Sequence, residues 1–319
     1  VTRRRLVALV AAVAALAATA SALGYVRSRT SKSGKALAWQ GSSCAYITPD
    51  SAGTPDLSLA DVTAAIDASA QTWSEVPCSY FRLNVDAPEP HGSAVLDKPQ
   101  GLNYVVFRTD KWCPPDASEP CYDPNATALT TVFYIDRPGE ADDGRILDAD
   151  VEVNNLDFAF TVDGTPPPDT HGRPVADVQN TLTHEFGHLL GLDHTCYDGW
   201  NPCENGKCKT NQVTCTTELD CYPVDDTGAK IPNCNDALPP KVTGATMYNY
   251  ASAGDTSKRT LSQDDVDGVC NIYPTASDPG VCSRVDTGGD SGCAAGGRPA
   301  APALLLLALG ALLLRRRRG

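Results

Sequence analysis

The chain has 319 residues, a formal net charge of −13 and 13 cysteines. At 42% hydrophobic and 20% charged it is globular, not disordered or collagenous. The acidity argues against nucleic acid as the main partner, because phosphate binding needs clustered Lys and Arg, and the cysteine count argues against a routine reducing cytosol.

Arg3, Arg4 and Arg5 precede an apolar run from Leu6 to Ala18, and Ala20-Ser21-Ala22 supplies an A-x-A cleavage pattern. Residues 1–22 therefore read as a secretory signal peptide. The alternative is an uncleaved anchor, for which the run is short. Residues 23–37 are basic, small and polar and read as a linker. Residues 38–275 form one large domain. Within it Ser58 can cap a helix that carries Val62, Ile66 and Trp73 on one face and ends before Pro77. Three β-rich segments follow, at 102–107, 130–135 and 146–153, the last of them alternating. A second helix starts at about Asp177, with Val178, Leu182, Phe186 and Leu189 on one stripe and Gly191 as its stop. A third begins at Ser262, buries Val266, Val269 and Tyr273, and ends at Pro274. This order gives an α+β fold with a mixed sheet.

Six cysteines fall between Cys196 and Cys234 in a stretch poor in apolar residues, so about 196–240 reads as a disulfide-rich insertion. It lacks the paired C-x₂-C knuckles of a zinc ribbon, and six cysteines allow 15 pairings. Residues 276–297 are rich in Gly, Ser and Asp and read as a second linker, which contains Cys293. Residues 298–319 are an Ala/Leu run closed by Arg315 to Arg318. This end resembles the sorting tails of myxobacterial surface proteins. The resemblance implies a processing signal with Cys293 as the sorting cysteine; a permanent short anchor is the alternative. All acidic residues lie between positions 38 and 290, so the body is more acidic than the net charge indicates, and both ends are basic.

The chemistry is concentrated in His184-Glu185-Phe186-Gly187-His188-Leu189-Leu190-Gly191-Leu192-Asp193-His194. On a helix His184 and His188 share a face and can grip one Zn²⁺. Glu185 lies beside them and can take a proton from an attacking water. Gly191 lets the chain turn so that His194 returns as third ligand. Three neutral imidazoles leave a coordination position open, as in catalytic and not structural sites.

This H-E-x-x-H-x-x-G-x-x-H run resembles the zinc signature of metzincin metallopeptidases. The resemblance implies a metzincin-like zincin domain with a twisted mixed sheet, an active-site helix, and a loop-rich C-terminal half with a Met-turn and terminal helix. Met247 in Ala245-Thr246-Met247-Tyr248-Asn249-Tyr250 suits the Met-turn, and Tyr248 is a candidate contact to substrate or transition state. Within the clan the chain looks most like the matrixins (peptidase M10-type). Thr195, Tyr248, the helix start Leu261 to Gly268 and the acidic strand Asp148 to Asn154 carry that likeness. Tyr248 and Tyr250 sit one and three past Met247, which argues against the astacin pattern. No Pro-Arg-Cys-Gly-type switch is present, and only His91 and His171 remain for a second zinc. Asp142, Asp143, Asp148, Asp150, Glu152, Asp157 and Asp163 can serve Ca²⁺ or form a solvated acidic face.

Together these features describe an exported zinc metalloendopeptidase, extracellular or associated with the surface or outer membrane of a bacterium, with the strand before the active-site helix holding an extended peptide by edge pairing. Expected partners are polypeptide substrates, the export machinery, a C-terminal sorting enzyme, and the membrane through the tail. The rival reading is a zinc-binding surface module that recognises partners through the Cys-rich insertion.

Overall fold

The computed structural model describes residues 24–91, 101–114, 121–167, 170–197, 203–208, 224–226 and 228–284. The signal-peptide stretch, the C-terminal tail and Cys293 lie outside them, as do Cys215 and Cys221 of the insertion.

The main sheet contains β2 (Cys44–Pro49), β3 (Arg82–Val85), β4 (Asn103–Arg108), β5 (Ala128–Tyr134) and β6 (Ile146–Asn154), in the order β3-β2-β4-β6-β5. All neighbours are parallel except β5, which runs antiparallel to β6. The sheet is therefore mixed, within an α+β layout. β6 lies between β4 and β5, so it cannot offer an edge to a peptide; the edge strand beside it is β5.

Strand alternation sorts side chains between the two faces. Val105, Phe107, Ala149, Val151 and Val153 join the main core with α1 (Leu59–Ser74) and α2 (Val178–Leu189). Ser58 caps α1 by accepting from Asp61 N at 3.1 Å, and Val62, Ile66 and Trp73 are buried. Two short parallel strands, β7 (Ala159–Thr161) and β8 (Val175–Asp177), lead directly into α2. The terminal helix α4 (Gln263–Ile272) follows the short α3 (Pro240–Thr243) and starts on a capping box of Ser262 and Asp265.

On the opposite face of β6, Asp148, Asp150 and Glu152 are all buried, so this part of the acidic cluster is not a solvated face. Asp148 Oδ2 accepts from Gly101 N at 3.0 Å, and Asp150 Oδ1 from Tyr104 N at 2.8 Å. Glu152 pairs with Arg108 and accepts from Tyr122 OH at 3.0 Å. Burial holds the Asp150 and Glu152 carboxyls above the usual carboxylate range; the Asp148 charge adds to the shift at Asp150 and Arg108 opposes it at Glu152.

Both expected linkers are shorter than their composition indicates. β1 (Val26–Arg27) pairs antiparallel with β9 (Leu192–Asp193), and Leu37 is fully buried. The basic residues that made this stretch look like a linker have partners: Arg27 donates to Leu37 O at 2.6 Å, and Arg29 pairs with Asp226. At the other end Ser43 N donates to Val281 O at 2.6 Å, Cys44 is bonded to Cys282, and Arg284 pairs with Asp86 at 2.7 Å. The folded body thus extends through 24–37 and 276–284.

Three further disulfides join Cys78 to Cys270, Cys113 to Cys121 and Cys196 to Cys234. The last closes the insertion across 38 residues. Inside it, β10 (Cys203–Glu204) and β11 (Lys207–Cys208) form a hairpin. Disulfides on this scale fit an extracellular protein. Among the described residues no helix is long and apolar enough to cross a membrane.

Candidate metal centre and cleft

Helix α2 is fixed at both ends. Its N-cap, Asp177, accepts from Asn180 N at 2.8 Å and pairs with Arg259. Near its C-terminus Trp39 Nε1 donates to Leu189 O, and Tyr273 OH donates to Leu190 O, both at 2.9 Å. These side chains satisfy carbonyls that a helix end leaves without partners. Trp73 Nε1 reaches Thr183 O at 2.8 Å from α1.

Gly191 then turns the chain with φ +94°, a left-handed conformation that favours glycine. A Cβ there would also meet Leu37 O at 2.6 Å, so the N-terminal stretch packs directly on the turn. The turn brings His194 back to His184 and His188. All three rings are buried, and a ligand atom from each lies within 4.8 Å of the others. This is the one such cluster of three or more His, Cys, Asp or Glu among the described residues.

The donor set fits zinc. His184 Nδ1 lies 2.6 Å from Thr246 O, and His188 Nδ1 lies 3.0 Å from Leu192 O. A carbonyl can only accept, so both Nδ1 atoms carry the proton and both Nε2 atoms present lone pairs. His188 Nε2 is buried with no hydrogen-bond partner, and His184 Nε2 faces His194 Nε2 at 3.1 Å. Burial lowers the basicity of all three, His188 to about 4 and the other two well below the imidazole range, so they stay neutral as ligands must be.

Met247 directly follows Thr246, whose carbonyl faces His184 Nδ1. Its N–H donates to Asp265 Oδ1 at 3.1 Å, Thr246 N donates to Asp265 Oδ2 at 2.8 Å, and Met247 O accepts from Thr195 N at 3.1 Å. The Met247 side chain packs into the space left by Gly187 on α2: a Cβ on Gly187 would collide with its Sδ. Gly187 stands inside the zinc signature, yet spacing alone gives it no role.

Glu185 is buried on the β5 side of the cluster. Thr130 Oγ1 donates to Glu185 Oε2 at 2.6 Å. Burial pushes the Glu185 carboxyl up to about 7, while the Thr130 bond and the Lys258 charge oppose the shift. Thr130 has no place in the sequence signature. The trace it leaves is a hydroxyl on the same strand face as core residues Ala128 and Val132.

Beside His184 and Glu185 opens a cavity of about 600 Å³ between the first turns of α2 and the segment after Met247. Tyr248 lines it and stacks edge-on with Tyr250 at 5.6 Å. Lys258 lines it too, on a 3₁₀ turn (Ser257–Arg259), and is 6% exposed. Its N–H donates to Asn180 Oδ1 at 2.7 Å, and burial lowers its ammonium to about 8.

Residues 171–271 match the model of a family described as pregnancy-associated plasma protein-A, Peptidase_M43, a metzincin-type zinc metallopeptidase family. The match spans α2, the three histidines, the insertion and Met247. It supports the metzincin assignment and names a family other than the matrixins. No curated protein matches the chain.

Proposed function

We propose that the chain is an exported zinc metalloendopeptidase that hydrolyses peptide bonds in extracellular proteins. One observation carries this: three imidazole Nε2 atoms, two of them freed by Nδ1 bonds to carbonyls, converge beside a buried carboxylate at the wall of a cleft. His184, His188 and His194 would hold the ion, which when bound acidifies water and polarises a carbonyl.

Glu185 takes the proton of the attacking water and returns it to the leaving amine. Its place beside His184 at the cavity wall supports that role. Thr130 holds the carboxyl while it waits. As the edge strand, β5 is the place where an extended peptide can add main-chain hydrogen bonds. Tyr248 lines the cavity, which supports its reading as a substrate contact. Within the clan, the matched family favours a pappalysin-type over a matrixin-type branch. Four disulfides support the exported location, and the tail with Cys293 is assigned to surface sorting.

Glu185→Gln tests the reading. The variant should bind one zinc, as the wild type does, and lose cleavage of an unstructured protein substrate by at least about a hundredfold, the scale of a lost general base. Full activity in the zinc-loaded variant would overturn the assignment.

A further inference from the structure

We propose that the cavity beside the metal centre is a subsite for an acidic side chain, read by Lys258, so that the enzyme cleaves ahead of Asp or Glu. The inference rests on the peptidase reading above and names its substrate class.

A buried ammonium needs acceptors for three N–H bonds. Lys258 Nζ has one in Tyr248 O. It also lies 3.4 Å from His184 Nδ1, but that nitrogen already gives its proton to Thr246 O and has no lone pair to offer. No carboxylate of the described residues forms an ion pair with Lys258. The acids that line the cavity are engaged elsewhere. Asp177 holds Arg259 and Asn180 N, Asp255 accepts from Ser257 N at 2.9 Å and its hydroxyl at 3.1 Å, and Glu185 accepts from Thr130. The remaining lining is neutral, with Thr181, Thr243, Tyr248 and Tyr250 among it. Among the described residues, Lys258 is thus the one Lys or Arg on the wall of this roomy cavity, and Tyr248 O is the one acceptor its ammonium has there. A carboxylate entering there would make charge-assisted hydrogen bonds. A basic side chain would be repelled, and an apolar one would strand the charge.

The seat is preorganised. Asn180 pins the Lys258 backbone, and the Arg259–Asp177 pair ties the same 3₁₀ turn to the start of α2. Glu185 fixes which substrate residue enters. It returns the proton to the leaving amine, so the residue that supplies this amine, P1′, lies on its side. The cavity includes Glu185 and His184 but neither His188 nor His194.

The test is cleavage of a peptide series differing only at P1′ (Glu, Asp, Gln, Leu, Lys) by the zinc-loaded wild type, Lys258→Met, Lys258→Arg and Lys258→Glu. Binding of the same peptides to Glu185→Gln, followed by fluorescence anisotropy, gives a readout without turnover. The wild type should favour P1′ Glu over Gln by about tenfold or more in kcat/KM, the usual scale of a hydrogen bond to a charged group. Lys258→Arg should keep that ratio, Lys258→Met should bring it near one, and Lys258→Glu should shift the preference to Lys. A wild type that cleaves before Leu or Lys as fast as before Glu overturns the subsite alone, as does a ratio that survives Lys258→Met. If no peptide is cleaved but anisotropy keeps the Glu preference, the peptidase reading fails and the acid-binding site stands. If neither assay responds, both fail.

Discussion

Gly187→Ala probes how the metal centre is supported. The new Cβ would collide with Met247 Sδ and lie 3.0 Å from Met247 Cε and 3.1 Å from Trp73 Cζ2. Carbon and sulfur settle at about 3.5–4.0 Å, so Met247, Trp73 or α2 must move. The Met247 backbone cannot yield easily, because Asp265 and Thr195 hold it, and Trp73 is tied to Thr183 O. Overpacking of this kind costs about 1–3 kcal/mol, the amount depending on how far the Met247 side chain can turn away. For a domain of this size that lowers Tm by about 2–12 °C. The assay is thermal unfolding of the metal-free protein with a parallel zinc titration. Because Thr246 O, next to Met247, holds His184 Nδ1, zinc affinity should fall as well. Met247→Ala alone should cost about 2–5 kcal/mol through the void it leaves. The double variant should then lose less than the sum of the two, by about 1 kcal/mol or more, because each change relieves the other. A Gly187→Ala protein within about 2 °C of wild type, with unchanged zinc affinity, would refute the packing argument.

Thr130→Val removes the hydroxyl that holds Glu185. It should leave zinc content unchanged and lower kcat/KM about tenfold, the usual worth of a hydrogen bond to a charged group; unaltered kinetics would show that the Thr130 contact is idle. On the far face of the sheet, Asp150 has a folded pKa raised above its unfolded value, so its contribution to stability is full below the usual carboxylate range and is lost as pH rises through the folded pKa. Asp150→Asn keeps an acceptor for Tyr104 N and should raise Tm at pH 8, with the gain shrinking as pH falls into the carboxylate range; a variant destabilised equally at every pH would contradict this.

Elements with a local signature were legible in the sequence. Ser58 and Asp177 cap the helices their positions indicate, the stripes Val62-Ile66-Trp73 and Leu182-Phe186-Leu189 are buried, and the strand segments fall on β4, β5 and β6. The histidine spacing works for the same reason, since it encodes one helix face and one turn. What escaped depends on partners distant in sequence. Val26 and Leu37 are two apolar residues in a polar stretch, and only the turn at Gly191 gives them a core to join. Asp150 and Glu152 look solvated until Tyr104, Arg108 and Tyr122 cover them. Thr130 and Lys258 lie 55 and 74 residues from the helix groups they meet, and no local pattern links them.

X-ray absorption at the zinc edge on the zinc-loaded protein tests the metal centre most directly. Three imidazole nitrogens at about 2.0–2.1 Å, with no sulfur neighbour, are predicted for one zinc per chain. A sulfur shell at about 2.3 Å would move the ion to the cysteines and contradict the account.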